Sequence, residues 1–247
     1  MEGYGSATYG DHIAPVYDEW EGVPADSDQA VAFLAERAGG GPVLELGIGT
    51  GRIALPLAAR GLEVHGIDAS ERMVERLRVK PGGAAIPVAV GDFADVEVLQ
   101  SGGFALVLVV FNTFFALLSQ DDQVRCFVGV AARLAPGGAF VLEAFVPDPG
   151  RFQHGQHAGT RALAMDRVHL EASMHDPVEQ RVRSQHVVLD ERGIRLFPVQ
   201  LRYAWPSELD LMARLAGLRL AERWAGWRGE PFGVGSPRHV SVYRRPA

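Results

Sequence analysis

Cysteine and lysine are nearly missing from this chain of 247 residues, each occurring once, as Cys126 and Lys80. A single thiol excludes an internal disulfide and a cysteine-based metal site. Its place in an apolar, helix-like stretch marks it as a buried structural thiol and not a nucleophile. Apolar runs of the roughly 18 residues needed for a membrane-spanning helix are absent. The start, Met1-Glu2-Gly3-Tyr4-Gly5, has neither the basic opening nor the apolar segment of a secretory signal, so a soluble cytoplasmic protein is expected. Positive charge is also scarce, with 24 basic against 30 acidic residues and a formal net charge of −6. That balance, and the lack of a basic stretch or an interleaved arginine–aromatic patch, speaks against a nucleic-acid partner.

What remains is 47% hydrophobic and 22% charged, enough for the core of one large domain with an elaboration. The chain is organised around residues 43–52. Val43, Leu44 and Leu46 read as a strand covered on both faces. Gly47, Gly49 and Gly51 then allow a sharp turn and a close backbone approach to a ligand, and Arg52, Ile53, Leu55 and Leu57 open an amphipathic helix over 52–60. Strand, glycine turn and helix N-terminus together make a nucleotide-type pocket.

Along the chain the pattern predicts a helix over 27–38, a strand at 61–68 ending in Asp68, a helix over 70–78 capped by Ser70, a strand at 86–90 followed by Gly91-Asp92-Phe93, and a very apolar strand at 104–111. A helix over 120–134, a Pro136-Gly137-Gly138 turn and a strand at 139–145 follow. The β-α alternation implies a doubly wound α/β fold, a mostly parallel sheet with ligands bound beyond the strands' carboxyl ends. From about 160 the period changes to two. Residues 161–175, 178–190 and 194–205 predict a three-stranded antiparallel meander inserted over the mouth of the sheet. A helix over 206–217 and strands at 218–225 and 238–245 close the seven-stranded sheet with an antiparallel pair. The expected divisions are an N-terminal lid or cap at 1–42, which a plain capping helix would also satisfy, and a domain at 43–247 with the insertion at 155–205.

Glu45-x-Gly47-x-Gly49-x-Gly51, Asp68, Gly91-Asp92-Phe93 and Leu134-x-Pro136-Gly137-Gly138, in this order and spacing, resemble the motif set of class I S-adenosylmethionine-dependent methyltransferases, a Rossmann-like fold. The segment around Tyr17 and the meander are similar to small-molecule methyltransferases of natural-product and sugar tailoring, hence of antibiotic biosynthesis. A NAD(P)-dependent oxidoreductase is the competing reading, since Gly49-x-Gly51-x-x-Ala54 fits a dinucleotide loop. It leaves Gly91-Asp92-Phe93 and the Pro-Gly-Gly turn without a role. A methyltransferase-fold binding protein or an RNA modifier is the third alternative.

The resemblance implies S-adenosylmethionine as cofactor and S-adenosylhomocysteine as product, without a metal. Gly47, Gly49 and Gly51 would meet its amino-acid part and Glu45 would orient the loop or the amino group. Asp68 would take the ribose hydroxyls. Ala69 and Met73 would pack on the adenine, and Asp92 and Phe93 would meet its polar edge. Tyr17, Arg52 and Phe111 would surround the methionine portion. Methyl transfer is an in-line displacement that needs no obligatory base. For a hydroxyl acceptor the candidate bases are His154, His157, Glu143 and Tyr203. Trp20, Phe114, Phe115, Phe152, Tyr203, Trp224 and Trp227 are the expected aromatic lining for a partly apolar small-molecule acceptor, although Phe114 and Phe115 could equally be core. A homodimer is open.

Overall fold

The computed structural model describes residues 1, 3–21, 26–98 and 102–246. Helices α1 (Thr8–Ile13), α2 (Tyr17–Glu21) and α3 (Ser27–Ala38) precede the first strand. The alternating part comprises β1 (Val43–Leu46), α4 (Ala54–Ala59), β2 (Val64–Asp68), α5 (Glu71–Arg78), β3 (Val88–Val90), β4 (Phe104–Val109), α6 (Gln120–Arg133) and β5 (Leu134–Phe145). The meander is β6 (Gln156–Leu163), β7 (Arg167–Asp176), β8 (Arg181–Asp190) and β9 (Gly193–Arg202), and α7 (Pro206–Leu215), β10 (Arg219–Trp224) and β11 (Arg238–Arg244) end the chain.

The main sheet has seven strands in the order β10-β11-β5-β4-β1-β2-β3. β1 to β5 run parallel to their neighbours, while β11 lies antiparallel to both β5 and β10. The strand order reverses between β1 and β4, the point at which such sheets bind ligands. Alternation along the strands builds a core on each face. Leu44, Leu46, Val107, Phe140 and Leu142 join Phe127 of α6 on one side, and Val43, Leu106, Val141 and Val242 join Leu34 of α3 and Leu57 of α4 on the other. Leu44 is wholly buried, and its truncation to alanine would cost about 2–5 kcal/mol.

Three expectations are corrected. The meander has four strands, because 164–166 form an exposed turn in which Ala164 N–H donates to Arg167 O, dividing what periodicity joins into one strand. The fifth strand begins at Leu134, ahead of the glycine pair, pairing Leu134 with Phe104 before a register shift at the Pro-Gly-Gly bend. The helix after the glycine turn is also shorter than expected, starting at Ala54.

The N-terminal segment bridges the sheet and the meander. Ile13, Val16, Tyr17 and Trp20 form a small core with Met73 of α5 and with Val188 and Phe197 of the meander. α1 approaches α5 so closely that a Cβ on Gly10 would stand 2.5 Å from Ser70 Cβ. Ser70 Oγ donates to Asp11 Oδ1 at 2.6 Å, and Gln200 N–H donates to Tyr4 Oη at 3.1 Å. Among the described residues no helix is long and apolar enough to cross a membrane.

Candidate active site

The strand ends, the N-terminal segment and the inner face of the meander enclose a cavity of about 390 Å³, within the range of about 300–1,000 Å³ usual for small-molecule sites. Gly47 and Gly49 follow β1, Asp68 ends β2 and leads into Ala69, Ser70 and Met73, Asp92 and Phe93 follow β3, and Phe111 follows β4; all line the cavity, with Tyr17 from the N-terminal side. These residues are therefore brought together from the ends of four strands by three separate crossovers.

The turn after β1 is fixed by its neighbours. Gly47 has φ +67°, and a Cβ there would come within 2.4 Å of Thr113 Cγ2, so both the backbone conformation and the space call for glycine. Gly49 N–H donates to Asp68 Oδ2 at 2.8 Å, while Ser70 N–H donates to Asp68 Oδ1 at 2.9 Å. Burial raises the Asp68 pKa, and these two N–H groups oppose the shift. Each carboxylate oxygen has a lone pair left for a cavity ligand. Asp92 Oδ1 accepts the Ala94 N–H at 2.9 Å, so Asp92 caps the helical turn that opens at Phe93 while lining the cavity.

Glu45, Gly51 and Arg52 sit behind the loop and do not line the cavity. Glu45 is almost fully buried with its Oε2 unpartnered, and burial pushes its pKa up to about 8 against the opposing charge of Arg52. The Arg52 guanidinium lies 3.2 Å from the Phe111 ring centroid, with Nε and Nη1 lacking hydrogen-bond partners. Gly51, at φ +84°, faces Leu77 of α5 and serves packing. Phe111 and Asn112 both have positive φ, 61° and 62°, a strained pair for residues with a Cβ. Glu143 holds this turn. Its Oε2 accepts the Phe111 N–H at 3.1 Å and its Oε1 takes Trp227 Nε1 and Arg238 Nη1, both at 3.2 Å. Glu143 is thus committed to the scaffold and is not a candidate base.

The expected aromatic lining is mostly redistributed. Phe114 and Phe115 are fully buried in the core below the site, because the short helix over 113–116 turns them away from the cavity. Trp227 packs on Phe33 and Trp224 donates to Glu222, both on the α3 side of the sheet. Trp20 packs edge-on against Phe197, cementing the N-terminal segment to the meander. Phe152 and Tyr203 do line a second cavity, of about 560 Å³, that shares Phe145, Arg151, Glu171, Ser184 and Leu201 with the first. The Tyr203 hydroxyl is paired with His175 Nε2 at 2.9 Å. His154 is exposed in a turn at φ +51°, and His157, half-buried beside Phe152, lines neither cavity.

Sequence reasoning missed Arg151, from the turn before the meander, and Arg161, Glu171, Ser184 and His186 of the meander itself, all of which line the cavity. The usable signal is the two-residue period itself. His169, Glu171, Ser173 and His175 share one face of β7, while Leu170, Ala172 and Met174 share the other, and it is the polar face that is covered. His186 Nδ1 lies 3.0 Å from His169 Nε2, and burial, reinforced by the charge of Arg161, lowers the pKa of both imidazoles.

Residues 43–138 match a family described as a methyltransferase domain. The chain is 31% identical over 209 residues, 83% of its length and 84% of the relative's, to the cypemycin N-terminal methyltransferase of a Streptomyces species. It superposes on the CcbJ methyltransferase from Streptomyces caelestis with a TM-score of 0.92 and 47% identity, covering 99% of this chain and 100% of that one. CalS10, an amino pentose methyltransferase of Micromonospora echinaspora with S-adenosylmethionine bound, is similar in fold, with a TM-score of 0.69, 22% identity and coverage of 94% and 95%.

Proposed function

The chain belongs to the S-adenosylmethionine-dependent methyltransferases, and on that premise we propose that it methylates an amine nitrogen of a small natural-product acceptor. The observation that carries this is the cavity itself, which joins the glycine turn, Asp68 and Asp92 at one end to a polar sheet face at the other. The N-terminal methyltransferase of cypemycin acts, by its name, at a chain's amino end, and an acceptor of that chemistry suits a site in which none of the expected bases faces the cavity.

In this reading Gly47 and Gly49 bring backbone against the amino-acid part of S-adenosylmethionine, with Glu45 and Arg52 beneath the loop. Asp68 accepts the ribose hydroxyls, Ala69 and Met73 pack on the adenine, and Asp92 and the Phe93 N–H meet its polar edge. Tyr17 and Phe111 wall the methionine portion. When bound, the cofactor supplies a methyl group on a sulfonium, open to in-line displacement. The chain's part is to exclude water and hold the acceptor nitrogen in line, so that binding geometry lowers the barrier. An acceptor ammonium must shed a proton before its lone pair can attack. His186, an imidazole on the cavity wall whose basicity burial depresses, is a group able to receive it. The N-terminal segment 1–42 acts as the cap, and the cytoplasm and a homodimer complete the proposal.

The test is incubation of the purified protein with radiolabelled S-adenosylmethionine and three acceptor sets: amino sugars, peptides with a free amino terminus, and catechols. Label confined to nitrogen supports the reading, label confined to catechol oxygen overturns it, and sedimentation velocity decides the dimer.

A further inference from the structure

Glu171 lies where the two cavities meet, and its surroundings are of mixed charge. It stands on β7 opposite Gly159 of β6 and His186 of β8, with the His157 imidazole lying against Gly159. Its Oε1 accepts from Ser173 Oγ at 2.9 Å and from Arg151 Nη2 at 3.2 Å, and its Oε2 accepts from Arg161 Nη1 at 3.3 Å. A register shift between Thr160 and Ala162 directs Arg161 to it, and the short helical turn over 149–151 brings Arg151. Ser173 Oγ in turn lies 2.7 Å from Ser184 Oγ. Glu171 is 8% exposed, and the hydroxyl and the two guanidinium groups hold its pKa below the ordinary value despite burial. Glu171, Arg151 and Ser184 line both cavities, and Arg161 lines the first.

A buried carboxylate flanked by two guanidinium groups discriminates among ligand groups. An ammonium would be repelled by both arginines, and a carboxylate by Glu171. A hydroxyl can donate to the carboxylate and accept from a guanidinium N–H at once, and the arginines have N–H groups beyond those spent on Glu171. Beside this cluster Phe145, Phe152, Val182 and Leu201 offer apolar surface in the second cavity, suited to the C–H faces of a ring that bears such hydroxyls. We propose that Glu171, with Arg151, Arg161 and Ser184, is the specificity-determining subsite for a polyhydroxylated, sugar-like portion of the acceptor. The assignment rests on the methyl-transfer reading of the first cavity and extends it to the second.

The experiment is isothermal titration of the protein, saturated with S-adenosylhomocysteine, with three probes that share one tail: n-hexyl β-D-glucopyranoside, hexylammonium and hexanoate. The wild-type protein binds the glucoside in preference to either ion. Glu171→Gln, which keeps the shape and removes the charge, weakens the glucoside about tenfold or more and strengthens hexanoate, a change of sign that loss of packing alone would not produce. Arg161→Gln, at a more exposed position, also weakens the glucoside. Unchanged affinity for S-adenosylhomocysteine shows that both variants are folded. Equal or tighter binding of either ion by the wild-type protein, no glucoside binding, or a Glu171→Gln variant that binds the glucoside as the wild type does overturns the subsite. Asp68→Ala separates the two readings: if it retains S-adenosylhomocysteine affinity, the cofactor assignment fails while the glucoside result stands.

Discussion

Thr50 Oγ1 donates to Asp18 Oδ1 at 2.6 Å, so a residue of the glycine turn is tied directly to the N-terminal segment. The chain's one lysine completes the latch, with Lys80 Nζ donating to Asp18 Oδ1 and to Thr50 O, each at 2.9 Å. Three elements, α2, the turn after β1 and the loop after α5, thus share one carboxylate. If the N-terminal segment is the cap, Asp18→Ala loosens it without touching the cavity floor. Affinity for S-adenosylhomocysteine then falls about three- to tenfold, the loss of about 1 kcal/mol usual for one such hydrogen bond. Stopped-flow binding should show the change in the dissociation rate. An unchanged dissociation rate would count against the cap.

Asp68 fixes the turn and, in the proposed function, also binds the cofactor, and substitution separates the two. Its oxygens accept the Gly49 and Ser70 N–H groups, which fixes the turn, and in the proposed function it also receives ribose hydroxyls. Asp68→Ala leaves two N–H groups without an acceptor and removes the ribose contact. Asp68→Asn keeps one acceptor oxygen and restores part of the turn. The alanine variant is expected to lose about 1.5–3 kcal/mol of S-adenosylhomocysteine affinity, roughly 10- to 150-fold, with the asparagine variant between it and the wild type. Calorimetry checks the order. Equal affinity in all three would remove Asp68 from the cofactor site.

The contrast between Asp68 and Glu171 shows what the sequence makes legible. Turn chemistry is local, so the glycines at 47, 49 and 51 and the acid ending the next strand announce the pocket from composition and spacing alone. Strand phase is not local. The period of two along 167–176 is plain, yet it leaves open which face is covered, and here the covered face carries Glu171 and Ser173 while Leu170 and Met174 stay outside. The register shift that aims Arg161 inward leaves no mark in the pattern. Phe114 and Phe115 lie at a strand's carboxyl end, as lining residues do, but a short helical turn sends them into the core. Element order was readable; direction of side chains at irregular turns was not.

Cys126 should be chemically silent. It is fully buried in α6, and burial, with the Asp92 charge adding to it, pushes its thiol pKa far above the ordinary value. A thiolate is the reactive form, so the folded protein should not react with a disulfide reagent such as dithionitrobenzoate over hours and should release one equivalent on denaturation. Methyl-transfer activity should be indifferent to the reagent. Rapid labelling of the folded protein would show that α6 opens readily.

Glu45 gives the fold a pH dependence of definite sign. The folded protein holds this carboxyl protonated up to about pH 8, whereas the unfolded chain releases the proton near the ordinary value for glutamate, about 4.3. Between those limits the folded state binds more protons, so stability falls as pH rises through the window and levels off once both states are ionised. Glu45→Gln keeps the volume and has no proton to lose, so its stability lacks this contribution. Denaturant titrations of both proteins from about pH 5 to about pH 9 should therefore diverge, the variant gaining on the wild type by a few kcal/mol by the alkaline end. Parallel curves would mean that Glu45 is ionised when folded, with Arg52 outweighing burial, and the charge beneath the glycine turn would then be a fixed ion pair instead of a neutral acid.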